Sequence, residues 1–151
     1  MPEQRVVVLV GLPGSGKSTW VAQQGGVAIS SDELRRWLRD DAKDQSIHGL
    51  VFRLLRDFVR MRLSLGAAVT YVDATNLTPK MRRPFVKIAE QMGARCEAVY
   101  FNVSLDECLS RNAARDRVVP EEAIRAMAAR LQPPSEAEGF AAVTLLVPPQ
   151  A

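Results

Sequence analysis

The chain has 151 residues, 47% of them apolar, which suits one domain with a buried core and argues against intrinsic disorder. Its net charge is +3, and the basic residues are mostly arginine, which favours planar, bidentate contacts to phosphate. The two cysteines, Cys96 and Cys108, lack metal-ligand spacing and are too few for a disulfide framework; no run approaches a membrane span or a secretory leader, so a cytoplasmic chain with no membrane partner is expected.

Residues 5–10, RVVVLV, read as a buried strand running into a glycine-rich loop at 11–19. GVAI at 26–29 reads as a second strand, followed by a helix start in SSDELRRWL. The stretch from Ile47 to Leu65 is the clearest helix, with Ile47, Leu50, Val51, Leu54, Leu55, Phe58 and Leu65 at helical spacing. Further strands are expected over 67–73, 96–103 and 140–147, with helices between them. Strands that alternate with helices imply a parallel sheet with right-handed crossovers, helices on both faces, and ligands at the carboxyl ends of the strands. No internal repeat is present, and linker-like composition occurs only in the terminal PPQA.

The strongest motif is GLPGSGKST, residues 11–19, which fits G-x-x-x-x-G-K-[ST] and lies between a strand and a helix. Such a loop curls its backbone N–H groups around phosphate oxygens, and the following helix adds its N-terminal donors and dipole. Gly11, Pro13, Gly14, Ser15, Gly16, Lys17, Ser18 and Thr19 are therefore candidate nucleotide-binding residues, with Lys17 held out of the core to reach the β- and γ-phosphates and Ser18 a direct Mg²⁺ ligand. The expected architecture is a P-loop NTPase-type three-layer α/β sandwich with a five-stranded parallel sheet in the order 2-3-1-4-5.

A P-loop specifies a nucleotide and leaves the reaction open. The N-K-x-D of switch GTPases is missing, and VTYVDATN offers Asp73 at a strand end with no evident water-activating neighbour. Asp73 suits Mg²⁺, directly or through water, or it caps the following turn. Asp32, at the end of the second strand, lies on the same sheet edge as the P-loop and suits a general base. Arg35, three residues on, shares its helix face and suits an anion on the acceptor. The competing reading makes Ser31 or Asp32 a helix N-cap.

GLPGSGKSTW, SSDELRR, VDATN, RNAARDRVVP and PPSEAEGF, in this order, resemble the kinase domain of 5′-polynucleotide kinases of the phage and bacterial end-healing type. The resemblance runs from about Arg5 to about Leu146 and implies one kinase domain over 1–151, using ATP or another NTP with Mg²⁺ to phosphorylate the 5′-OH end of RNA or DNA. It implies Asp32 as general base, Arg35 on the phosphate next to the 5′ nucleoside, and Asn76 on the acceptor side. It also implies Arg111 and Arg115 over the donor phosphates, in a lid spanning about 108–131. Many relatives are fused to a phosphatase or ligase; here such a partner is expected as a separate protein. The residues agree with a mobile cover: Arg111 and Arg115 are four apart, RDRVVPEEAI breaks the helix, and Pro120 with Glu121 and Glu122 starts another. P-loop kinases of small metabolites, antibiotics or nucleotide-sugars are the competing reading, and a non-catalytic nucleotide-binding module is a third.

Other features carry less. Arg53, Arg56 and Arg60 form a basic stripe that could track a nucleic-acid backbone, with the wet side of an amphipathic helix as the preferred reading. Lys80, Arg82 and Arg83 follow Asn76 and suit either substrate. Trp20 and Trp37 read as packing residues. His48 has no neighbouring nucleophile or metal set and receives no chemistry. PPSEAEGF reads as a turn feeding the last strand, with no legible role for Glu138.

Overall fold

The computed structural model describes residues 3–115 and 119–147. In chain order the elements are β1 (Arg5–Val10), α1 (Lys17–Gln24), β2 (Val27–Ser30), α2 (Ser31–Arg39), α3 (His48–Ser64), β3 (Val69–Asp73), α4 (Pro79–Gln91), β4 (Arg95–Phe101), α5 (Leu105–Ala113), α6 (Glu121–Arg130), a 3₁₀ turn (Glu136–Glu138) and β5 (Ala142–Leu146). The five strands form one parallel sheet in the order β2-β3-β1-β4-β5, as expected from the sequence. The helix break expected at 116–118 and the tail from 148 lie outside the described residues.

Strand β1 is central, and Val6, Val7, Val8, Leu9 and Val10 are all buried. Each such side chain contributes about 1.5–3 kcal/mol by leaving water. Val6, Val8 and Val10 face a core shared with Val51, Leu55 and Val59 of α3 and Phe85, Ile88 and Ala89 of α4. Val7 and Leu9 face the opposite side, where Val21 of α1 packs with Tyr71, Val99 and Phe101. Trp20 sits edge-on to Tyr71 and Phe101, at centroid distances of 5.8 and 5.7 Å. Leu12, Leu77 and Cys108 form a third cluster that joins the P-loop to α5 and α6.

The docked face of α3 overlaps only in part with the one its apolar spacing marks out: Val51 and Leu55 are buried, and Ile47 and Leu54 pack against the same core. The buried row is Val51, Leu55, Val59 and Leu63, one residue per turn, while Leu50, Phe58 and Leu65 are exposed. Apolar residues on this helix span a wider arc than one packing surface, so periodicity identifies the helix without choosing the flank that docks. Trp37, expected to pack, is 65% exposed.

Asn76, expected on the acceptor side, is fully buried and structural. Its φ of 46° is left-handed, a region asparagine tolerates, and its Nδ2 donates to the Leu9 carbonyl at 2.8 Å. Gly11 N–H donates to the Thr75 carbonyl, so this turn ties the end of β3 to the root of the P-loop. Arg82 is likewise structural. It is wholly buried and forks onto Glu138, with Nε to Oε1 at 2.8 Å and Nη2 to Oε2 at 3.0 Å. Its Nη1 donates to the Asn76 and Gln132 carbonyls at 2.8 and 2.9 Å. Glu138 also accepts from Ser135 N–H in a capping box. The glutamate that had no legible role therefore neutralises a buried guanidinium and fastens the segment before β5 to α4.

Removing one partner of a buried, hydrogen-bonded pair strands the other. Arg82→Ala is expected to lower unfolding free energy by about 3–5 kcal/mol in urea titrations. A loss below about 1 kcal/mol would contradict a structural role for this pair.

Candidate active site

The carboxyl ends of β1, β3 and β2 lie side by side. Ser30 and Asp73 are register partners, so the start of α2 stands next to the end of β3. Facing them is a cleft of about 1640 Å³ that contains the P-loop, Asp32, Arg35, Asp73, Arg111 and Arg115. The expected site residues thus meet in one place, apart from Gly11 and Asn76, which do not line the cleft.

The loop takes its shape from glycine. Gly14 has φ 83°, and a Cβ there would come within 2.7 Å of the Cys108 carbonyl oxygen; Gly16 has φ 96° and stands at the N-cap of α1. With no side-chain cap and no acid in its first turn, α1 presents its leading N–H groups to the cleft. Ser15 Oγ is buried with no hydrogen-bond partner. Lys17 is buried rather than held out of the core, and its Nζ donates to the Gly11 and Leu12 carbonyls at 3.0 and 2.9 Å. Burial lowers its pKa; Asp73, Asp32 and Cys108 oppose the shift and Arg115 adds to it.

These features fit a nucleoside triphosphate with Mg²⁺. Free N–H groups, an orphan hydroxyl and an ammonium satisfied only by carbonyls converge where phosphates would bind. Ser18 Oγ donates to Asp73 Oδ2 at 2.8 Å, which pairs two oxygen ligands of the hardness Mg²⁺ requires. Ser18 and Asp73 are the residues able to hold the ion.

On the other wall, the capping question at α2 is settled in favour of Ser30. Its side chain accepts from Glu33 N–H at 3.2 Å, leaving Asp32 as the second helical residue with a half-exposed carboxylate. Arg35 is almost completely buried, with Nη1 3.3 Å from Asp32 Oδ1 and Nη2 3.5 Å from Gln45 Oε1 and 3.4 Å from His48 Nδ1. Arg111 donates to Glu107 at 3.0 Å and reaches the Gly14 carbonyl at 3.4 Å, so it touches the loop itself. Arg115 lies beyond the end of α5, not on a shared helix face with Arg111, yet it lines the same cleft.

Sequence reasoning missed His48, Phe52, Lys43 and Arg130, which also line the cleft, and of the basic stripe on α3 Arg56 lines it too. Arg53 and Arg60 are exposed, as expected. Lys80 lines the cleft, whereas Arg83 is on the surface. Neither thiol is poised for chemistry: burial, with help from Glu97, pushes Cys96 up to about 12, and burial raises Cys108 despite the nearby Lys17 and Arg111. Among the described residues no helix is long and apolar enough to cross a membrane, and no His/Cys/Asp/Glu cluster could hold a metal ion unaided.

A parallel sheet in this order, with a glycine loop after β1, Asp73 ending β3 and Asp32 in the first turn of the helix after β2, defines a P-loop kinase domain. The family model described as AAA domain (AAA_33) matches residues 6–134, and the chain belongs to that family. The resemblance to polynucleotide kinases is borne out by a bifunctional polynucleotide phosphatase/kinase of Schizosaccharomyces pombe, 26% identical over 146 residues. That match covers 91% of this chain and 32% of the relative, so the chain spans about a third of its length. Among solved structures, a chain of the Pnkp1/Rnl/Hen1 RNA repair complex superposes with a TM-score of 0.73 at 21% identity, covering 87% of this chain and 45% of that one. The Mycobacterium tuberculosis APS kinase CysC, in complex with AMPPNP and APS, gives 0.65 at 20% identity, covering 100% and 92%. At these identities the two structures establish the fold.

Lys17 serves as the test of the donor side. In Lys17→Ala the apo protein is expected to remain folded, since a desolvated cation is lost. The rise in Tm that Mg²⁺-ATP produces in the wild type should largely disappear. An undiminished rise in the variant would exclude the P-loop as the nucleotide site.

Proposed function

We propose that this chain transfers the γ-phosphoryl group of ATP, or another NTP, to the 5′-hydroxyl end of RNA or DNA. The observation that carries the reading is the charge of the acceptor half of the cleft. Beyond Lys17, Arg111 and Arg115, which suit the donor, the cleft is lined by Arg35, Lys43, Arg56, Lys80 and Arg130, with Asp32 and Asp73 as its acids. A small neutral acceptor would leave these cations unanswered, whereas a polynucleotide strand supplies a phosphate for each. The printed name of the 26%-identical relative, a polynucleotide phosphatase/kinase, supports the same reading.

Mg²⁺-ATP, when bound, supplies the transferable phosphoryl group and the cation that offsets its charge. The P-loop N–H groups and the start of α1 grip the phosphate oxygens, while Ser18 and Asp73 hold the metal. Lys17 exchanges its carbonyl partners for phosphate oxygens. Asp32, free of capping duty, takes the proton of the attacking 5′-hydroxyl. Arg35 holds the phosphate next to the 5′ nucleoside through its fork of donors. Arg111 and Arg115 balance charge on the phosphoryl group in transit, and the α5–α6 segment acts as the lid. On this reading the chain works in the cytoplasm, with a ligase or phosphatase activity completing the repair of the same ends.

An acceptor panel tests the proposal. Transfer from γ-labelled ATP is expected to a 5′-OH oligonucleotide in strong preference to sugars and other small hydroxyl compounds. Arg35→Ala should raise KM for the oligonucleotide by about tenfold or more while changing little for a nucleoside that lacks the adjacent phosphate. Preferred transfer to a small acceptor would establish the metabolite-kinase reading, and nucleotide binding without transfer would establish the non-catalytic one.

A further inference from the structure

His48 stands at the first turn of α3, exposed to the cleft, and its ring packs on Phe52 at a centroid distance of 4.5 Å. It has no nucleophile or metal partner. What it does have is Arg35: the guanidinium Nη2 lies 3.4 Å from the imidazole Nδ1. An arginine has only donors to offer, so this contact exists only while Nδ1 is unprotonated and able to accept. Asp32 holds the other end of the fork at 3.3 Å, and Gln45 Oε1 stands 3.5 Å from Nη2. The Arg35 Nε is buried without a partner, so the group keeps a donor in reserve for a ligand.

We infer that neutral His48 is a positioning residue for the acceptor: it accepts from Arg35 and sets the guanidinium at the angle that receives the acceptor's phosphate, so that protonation of His48 releases the clamp. The inference rests on the acceptor reading above. Every element around the imidazole favours the neutral ring. Arg35 faces it from α2 and Arg130 from α6; Arg56 lies two turns along α3 on the same cleft wall, and Lys43 lines that wall from the preceding loop. The nearby acids are otherwise engaged, Asp32 with Arg35 and Asp44 with Arg39 and Ser46. Partial burial is the largest cause that lowers the His48 pKa, followed by Arg35 and Arg130. At neutral pH the ring therefore accepts. As pH falls through its depressed pKa, it loses the acceptor lone pair and becomes a third cation beside Arg35 and Arg130. Phe52, under the ring, fixes its plane and limits how far it can turn away.

His48 is the one histidine in the chain, so its titration is a single resolved NMR signal. The expected result is a pKa below the ordinary value of about 6.5 that rises in Arg35→Ala, as a facing cation is removed. In steady-state kinetics, KM for a 5′-OH oligonucleotide should climb about tenfold per pH unit below that pKa, with KM for ATP unaffected. His48→Leu should raise the oligonucleotide KM at every pH at little cost in kcat. His48→Gln, whose amide oxygen can take the Arg35 hydrogen bond but cannot titrate, should recover part of that loss and flatten the profile. A His48 titration indifferent to Arg35→Ala overturns the inference whatever the acceptor is. A wild type that phosphorylates oligonucleotides while His48→Leu keeps its KM overturns it too, and a KM that falls on acidification assigns His48 the opposite role, as a cationic phosphate ligand. A wild type that transfers to no oligonucleotide sinks the acceptor reading instead, and the NMR comparison still decides the contact.

Discussion

Strand β1 is hydrogen-bonded on both edges and covered on both faces, so beyond Val10 its backbone can continue only outward, into the glycine loop. That constraint organises everything around it. The parallel register carries β2 and β3 to the same edge, with Ser30 beside Asp73, and α2 then begins within reach of the loop. Gly11 N–H reaches the Thr75 carbonyl and Asn76 reaches the Leu9 carbonyl, so the turn after Asp73 is hydrogen-bonded to the loop it serves. Asp32, Asp73 and the glycine loop are thus neighbours because three strands end together, although they are far apart in sequence.

The charge of the site assembled there is one-sided: Lys17, Arg35, Lys43, Arg56, Lys80, Arg111, Arg115 and Arg130 line the cleft against the two acids Asp32 and Asp73. Lys17 is buried against two carbonyls, and Arg35 is buried against a carboxylate, an amide and an imidazole. Burying cations costs free energy unless their donors are satisfied. Arg82 marks the fully satisfied case, with a bidentate carboxylate and two carbonyls around one guanidinium. Arg35, by contrast, retains a buried unpartnered Nε and two contacts of 3.4–3.5 Å. The difference separates an arginine whose donors are all spent on the fold from one with a donor left over at the cleft.

Much of this was legible in the sequence. The strand–loop–helix context of GLPGSGKST located the donor site, alternating runs placed all five strands, and the family resemblance brought Asp32, Arg35, Arg111 and Arg115 to one cleft. What was not legible depends on long-range partners. Asn76 has the type and position of a substrate ligand, and only the turn geometry shows that its Nδ2 is spent on Leu9 while its Oδ1 is buried without a partner. Glu138 and Arg82 are 56 residues apart, and nothing in either segment announces the pair. On α3 the apolar residues outnumber what one docking face can bury, so the spacing found Val51 and Leu55 but also took in the exposed Leu50, Phe58 and Leu65 and left out Val59 and Leu63. His48 carries no motif at all; its meaning comes from the arginine thirteen positions earlier that the fold sets against it.

The central claim is that one cleft holds a phosphoryl donor and a hydroxyl acceptor with Asp32 as the base between them. Asp32→Asn tests it most directly, because the cap of α2 is Ser30 and the substitution keeps size while removing the proton acceptor. The measurement is single-turnover phosphorylation of a 5′-OH oligonucleotide alongside ATP affinity. The account predicts a rate reduced by about 10²–10⁴ with ATP affinity and stability nearly unchanged. A folded Asp32→Asn enzyme that turns over at the wild-type rate would contradict it.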